Sequence, residues 1–257
     1  MLKKFKKTHL SPILWLFLPI LFFFIIFFIK YFYLNFFINF FQSEKGIIEN
    51  GTFFILFISI IICFFILKGK NLHFFNKKIF FYIFFLILGL IYFAGEEISW
   101  GQHWFNWETN SFFKYFNDQL ETNFHNINSW FDQKPKALLL FFIFFAGILL
   151  PLYYLKKNKN ILRTQYILFP DISCLPTSLI CLFFYILDNL YKTLCSGTPG
   201  IDISCEFIPD LFVLRTSEII EFYIALFLLI YIFSIYRYVI IITETFLFFL
   251  GIGFQIY

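Results

Sequence analysis

Residues 79–97 read IFFYIFFLILGLIYFAGEE: an uncharged, apolar run from Ile79 to Ala94, then Gly95 and two adjacent carboxylates, Glu96 and Glu97. In hydrocarbon a single segment satisfies its own backbone only as a helix, and about 20 residues of helix cross a core about 30 Å thick. The run therefore predicts a membrane-spanning helix that ends on acid. Five further runs share its character, at about 12–29, 52–67, 137–155, 172–190 and 218–236. The first follows Lys3, Lys4, Lys6 and Lys7 as a signal peptide would, but its apolar part is too long and no small-residue cleavage site follows, so it is read as a retained span. A seventh stretch, 239–257, is apolar enough to span or to lie flat, although it carries Glu244. The expected fold is all-α: one integral membrane domain over 1–257, a polytopic bundle of six or seven transmembrane helices with an interfacial helix in the loop after the third.

Composition excludes the alternatives. Of 257 residues, 60% are apolar and 26% aromatic, with 46 Phe and only 14% charged, whereas soluble domains run nearer half apolar and a quarter charged. Disordered, collagenous and disulfide-stapled chains fall with the same numbers. Phe, Ile, Lys, Asn and Tyr, the residues of AT-rich codons, are enriched together, so Phe reads as generic lipid-facing bulk. The net charge of +4 is spread along the chain. It argues for neither a nucleic-acid surface nor a polybasic arm, so the expected partner is membrane lipid and no nucleic acid.

The lysines orient the bundle, because cytoplasmic loops collect Lys and Arg. They gather before the first span, at Lys68, Lys70, Lys77 and Lys78 after the second, and at Lys156, Lys157, Lys159 and Arg163 after the fourth, with Arg237 after the sixth. These places alternate as six spans require, so the N-terminus is expected in the cytoplasm and loops 30–51, 95–136 and 191–217 outside.

Nearly all the unusual polar residues then converge on the outer face. Glu49 precedes the second span, Glu96 to His103 close the third, Glu121 and His125 lie in the long loop, and Glu218 and Glu221 open the sixth. Carboxylates at such depth are tolerated mainly where they meet water, a partner or a metal. A helix continued through Glu96 would bring Glu96, Ser99 and His103 within about 60 degrees of one another and turn Glu97 to a neighbouring face. Glu121 and His125 read as an i, i+4 pair, and Glu218 and Glu221 as an i, i+3 pair. The expected metal ligands are Glu96, His103, Glu121, His125, Glu218 and Glu221. Carboxylate and imidazole together suit Zn, Fe or Mn. The expected catalytic set is Glu96, Glu97, Ser99, Gln102, Glu121 and His125, with Ser99 and Gln102 as hydrogen-bonding support. The competing reading is a polar network without a ligand.

Four of the five Trp, at 100, 104, 107 and 130, lie in this loop, and indole favours the headgroup layer. An interfacial helix or re-entrant turn is expected over 104–120. Cys63 and Cys181 fall within spans and read as packing residues. Cys195 and Cys205 flank a Gly-Thr-Pro-Gly turn and could pair in an oxidising compartment.

The segment GEEISWGQHWFNWETN, the later ETNFHNI, the upstream SEKGIIENGTFF and the downstream SEIIEFYIAL resemble a family of bacterial multi-pass membrane proteins of unassigned function, marked by Gly-Glu-Glu-x-Ser-Trp-Gly-Gln. The resemblance covers about Glu44 to Leu226 and implies a bacterial plasma membrane, with no reaction attached. Ser99-x-x-x-His103 is also similar to an element of the alkaline-ceramidase-like membrane hydrolases. Their late His-x-x-x-His is missing here, where Glu218 and Glu221 stand instead.

No phosphate loop, G-x-S-x-G elbow or His-Glu-x-x-His pair occurs in the sequence. Three functions stay open: a metal-dependent membrane-embedded enzyme acting on a lipid or lipid-linked substrate at the outer face, a non-enzymatic assembly or sensor component, and an ion or solute transporter.

Overall fold

The computed structural model describes residues 10–41, 43, 45–68, 77–116, 120–124, 127, 129–157, 169–195 and 217–249. Six helices are long and apolar enough to cross a membrane: α1 Ile13–Phe32, α2 Ile47–Lys68, α3 Lys77–Glu97, α4 Gln133–Lys156, α5 Ile172–Leu190 and α6 Ser217–Ile240. Among the described residues there is no strand. The chain is an integral, multi-pass, all-α membrane protein.

The helix α6 is the axis of the bundle. It is 83% buried along its apolar window, against 22–39% for the other five, and it packs on α2 and α5 most extensively. Its residue types explain the position. Phe needs no partner and faces outward along α1 to α4, as Phe24, Phe57, Phe85 and Phe141 do. Tyr and Ser carry groups that hydrocarbon cannot satisfy, so they turn inward to a partner. Tyr223 donates from its hydroxyl to the Pro19 carbonyl at 3.1 Å, and the Tyr231 and Tyr82 hydroxyls meet at 2.7 Å, joining α6 to α1 and to α3. Close approach is the other device. A Cβ on Gly147, in the wide-turned middle of α4, would overlap Ser178 of α5 and stand 2.9 Å from the Phe227 ring of α6.

Two boundaries differ from the sequence reading. The α2 helix begins five residues early, at Ile47, so Glu49 and Asn50 belong to its first turn. Asn50 holds that turn by donating to the Lys45 and Gly46 carbonyls. The sixth helix continues unbroken from Ser217 to Phe249, so 239–249 extends it and does not turn back as a separate seventh helix. At 33 residues it is about 50 Å long, longer than a bilayer core. Residues 250–257 lie outside the described residues. So does the expected Cys195–Cys205 bridge, through Cys205. Cys63, Cys174 and Cys181 are buried free thiols. In place of one interfacial helix over 104–120 there are two short ones, Gln102–Phe105 and Ser111–Phe116. Trp104, Phe105, Phe112 and Tyr115 on them are exposed.

Candidate functional site

The acid-bearing ends of α2, α3 and α6 lie together with the Lys136 end of α4, and the loop after α3 folds back on the ends of α2 and α3. The α3 helix does not continue through this loop as the spacing had predicted. It stops at Glu97, and Ser99, Trp100 and Gly101 follow with φ of 47, 54 and 100 degrees. Three successive left-handed residues turn the chain back on itself, a conformation that L side chains resist and glycine adopts freely.

What holds the turn is the motif itself. The Trp100 indole lies flat on Gly95, where a Cβ would meet three ring carbons at 2.9 Å. Its Nε1 donates to Glu96 Oε1 at 2.7 Å, and the Phe124 amide donates to Glu96 Oε2 at 2.8 Å. Glu96 thus ties the end of α3 to two parts of the loop. Gln102 makes the second tie. Its Nε2 donates to Thr109 Oγ1 at 2.8 Å and to the Leu120 carbonyl at 3.2 Å, while its Oε1 accepts from the Thr122 amide at 2.6 Å. Trp104 fastens the loop to α2 by donating to Asn50 Oδ1 at 2.8 Å.

Inside this frame Ser99, His103, Glu121 and Asn123 form one cluster. His103 Nε2 lies 2.9 Å from Ser99 Oγ and 3.0 Å from Glu121 Oε1. Ser99 donates to Glu121 Oε2 at 3.1 Å, and Asn123 Nδ2 donates to the same carboxylate at 2.6 Å and to Ser99 Oγ at 3.2 Å. An ionised carboxylate only accepts, so the consistent assignment puts the His103 proton on Nε2, facing Glu121. The other ring nitrogen faces Glu49 Oε2 at 3.9 Å. Burial acts to raise the Glu121 carboxyl, but the hydrogen bond and charge of His103, with the bonds from Ser99 and Asn123, outweigh it and hold Glu121 below the usual carboxylate range.

Glu97 points elsewhere, as expected for the residue after Glu96 on a helix. It lines a cavity of about 300 Å³ in the gap between α3 and α4, floored by α6. The walls are apolar, with Leu86, Leu90, Leu139, Ile224 and Leu228 among them, and one end carries Glu96, Glu97, Lys136 and Glu221. Phe85 and Leu138, which also line it, are 65% and 70% exposed, so its mouth opens on the outer surface of the bundle. Lys136 bonds Glu221 Oε1 and Ser217 Oγ, each at 2.6 Å. Glu97 has no hydrogen bond or ion pair among the described residues, though the charges of Glu221, Glu49, Lys136 and Glu218 act on it.

The expected residues therefore divide into three groups. Ser99, His103 and Glu121 are in mutual contact, Glu96 and Gln102 build the loop, and Glu97 and Glu221 reach the cavity. Glu121 is not helical, since Leu120 has a φ of 56 degrees and no helix covers 120–124, so the predicted i, i+4 pairing with His125 does not describe this stretch. His125 itself lies outside the described residues. Among those residues no three His, Cys, Asp or Glu side chains are grouped so as to hold a metal ion. Lys136, Asn50 and Thr109 escaped the sequence reading. Lys136 had one signal, a lysine directly abutting the apolar run that opens at Ala137.

Comparison with known proteins finds no matching family model, no matching curated protein and no matching solved structure. The residues themselves establish a multi-pass helical membrane protein.

Proposed function

We propose that the protein is a membrane-embedded enzyme that takes a lipid or lipid-linked substrate into the cavity between α3, α4 and α6. The observation that carries this reading is the cavity's two-part lining: an apolar barrel with its mouth at the lipid-facing surface, and a charged end where Glu97 is the carboxylate not engaged by a protein donor. A binding site with mostly apolar walls and a few convergent polar groups is the usual form of a small-molecule site. Glu97 meets the reacting end of the substrate. In this scheme Glu97 takes a proton from water or a substrate hydroxyl. By the sequence argument the site faces the outer side of a bacterial plasma membrane. A metal-dependent form of the reading would draw its ligands from Glu96, His103, Glu121, His125, Glu218 and Glu221, a carboxylate and imidazole set that suits Zn, Fe or Mn.

The test is lipid analysis of membranes from cells carrying the chain or its Glu97→Gln variant. A substrate lipid is expected to accumulate, and its product to fall, in the variant. Identical lipid profiles, with both proteins inserted at equal level, would end the enzymatic reading. Metal content of purified protein, with and without His125→Ala, decides the metal.

A second reading is favoured by Ser99, which is fully buried and already bonded on every side. In it the loop is a clasp that ties the ends of α2 and α3, and the protein is a non-enzymatic membrane component.

A further inference from the structure

We infer that the ligand of the α3–α4–α6 cavity is a single-tailed amphiphile headed by a protonated amine, with Glu97 as the counter-ion. This rests on the cavity being the substrate site. The charged end carries three carboxylates, Glu96, Glu97 and Glu221, against one ammonium, Lys136. Two of the three are engaged. Glu96 takes the Trp100 and Phe124 donors, and Glu221 takes Lys136 and, at 3.5 Å, the Ser217 hydroxyl. Glu97 is left for whatever enters. Ionisable groups within a membrane protein pair with one another or mark a ligand path, and the donor that binds a carboxylate most strongly there bears positive charge. An alkyl amine stays protonated at neutral pH, as lysine does.

Gly89 bears on the tail. It lies in the middle of α3, where glycine is a poor helix former, and it lines the cavity. Two other glycines of the spanning helices have a steric reason: the Trp100 ring at Gly95, and Ser178 and Phe227 at Gly147. At Gly89 a Cβ would meet nothing within 4 Å. The missing side chain keeps the cavity open where no protein atom needs the room. The volume, about 300 Å³, stands at the lower edge of ligand sites, which run from about 300 to 1,000 Å³. It suits one alkyl chain better than a two-chain lipid.

The full chain in phosphatidylcholine nanodiscs would be titrated with dodecylamine, dodecanol and dodecanoate, whose tails match, and occupancy read by native mass spectrometry. Dodecylamine is expected to bind on the order of ten-fold tighter than dodecanol, and dodecanoate weakest. Glu97→Gln should bring the amine down to the alcohol. Gly89→Leu, which fills the cavity on an otherwise intact helix, should abolish all three. Equal binding of the three heads, or a preference for dodecanoate, overturns the amine and leaves the cavity reading standing. Binding that Gly89→Leu leaves untouched, or no binding of any probe to the wild-type chain, removes both. If Glu97→Gln fails to insert, the head-group comparison on the wild-type chain and the Gly89→Leu result still decide.

Discussion

The Trp100 indole lies across Gly95 and donates to Glu96, its Nε1 standing 2.7 Å from Glu96 Oε1. Two adjacent residues of the motif thus serve one neighbour, one by having no side chain and the other by accepting its N–H. Gly95→Ala should cost about 1–3 kcal/mol, as overpacking of a close contact does, and lower the thermal unfolding temperature in detergent. Gly89→Ala, six residues earlier on the same helix, should be neutral or stabilising by up to about 1 kcal/mol, because alanine is the better helix former and its Cβ meets nothing. Equal losses at both positions would remove the role assigned to Trp100.

Glu121 makes stability depend on pH in a stated direction. Its carboxyl titrates lower when folded than its ordinary value of 4.5. The stabilisation it contributes is therefore fully present above 4.5 and is lost as pH falls through the lower, folded-state value. Glu121→Gln should unfold at a lower temperature than wild type at pH 7, with the gap narrowing below pH 4.5. A gap that persists unchanged into strong acid would mean that the carboxylate's charge is not what His103, Ser99 and Asn123 hold.

The spans were legible because hydrocarbon leaves a polypeptide few options, and the runs that end at Glu97 or begin near Ala137 can only be helices there. That Ser99, His103 and Glu121 come near one another was legible in the sequence; the geometry that joins them was not. Nothing between Glu96 and Trp100 breaks a helix by composition, and Gly101 comes after the turn has begun. The left-handed backbone at Ser99 and Trp100 is set by the indole docking on Gly95, a contact that spacing along the chain does not reveal. For the same reason Glu121 read as helical, while its conformation comes from Gln102 pulling on the Leu120 carbonyl and the Thr122 amide. Lys136 falls at the end of the expected outer loop 95–136, and its placement at the cavity depends on α4 beginning before the apolar run does.

The lysine pattern predicts a sidedness that the helices alone leave symmetric. With native cysteines replaced, a single cysteine at position 73 should react with an impermeant thiol reagent only after the membrane is opened, and one at position 118 should react from outside in intact cells. Labelling of both from the same side contradicts the alternating topology, and exchanged accessibility inverts it.

Packing and hydrogen bonding make separable contributions to the bundle, and Gly147 and Tyr82 distinguish them. Apolar side chains gain little from each other over lipid, so helices in a membrane associate through close backbone approach and a few polar bonds. Gly147 supplies the first, since a Cβ there would overlap Ser178 and press on Phe227 at 2.9 Å. Neither can retreat easily: Ser178 is bonded to the Cys174 carbonyl at 2.8 Å, and Phe227 is fully buried against the central helix's own neighbours. Tyr82 supplies the second through its 2.7 Å bond to Tyr231, and such bonds average about 0.6 kcal/mol in membranes, with a maximum near 1.7. Tyr82→Phe keeps the ring and loses only that bond, so its cost should stay within that range. Gly147→Ala adds one methyl group and should cost more, about 1–3 kcal/mol, as measured by unfolding in mixed micelles. The reverse order, with the tyrosine change the more damaging, would mean that the bundle is held chiefly by its internal hydrogen bonds and that the close approach at Gly147 is incidental.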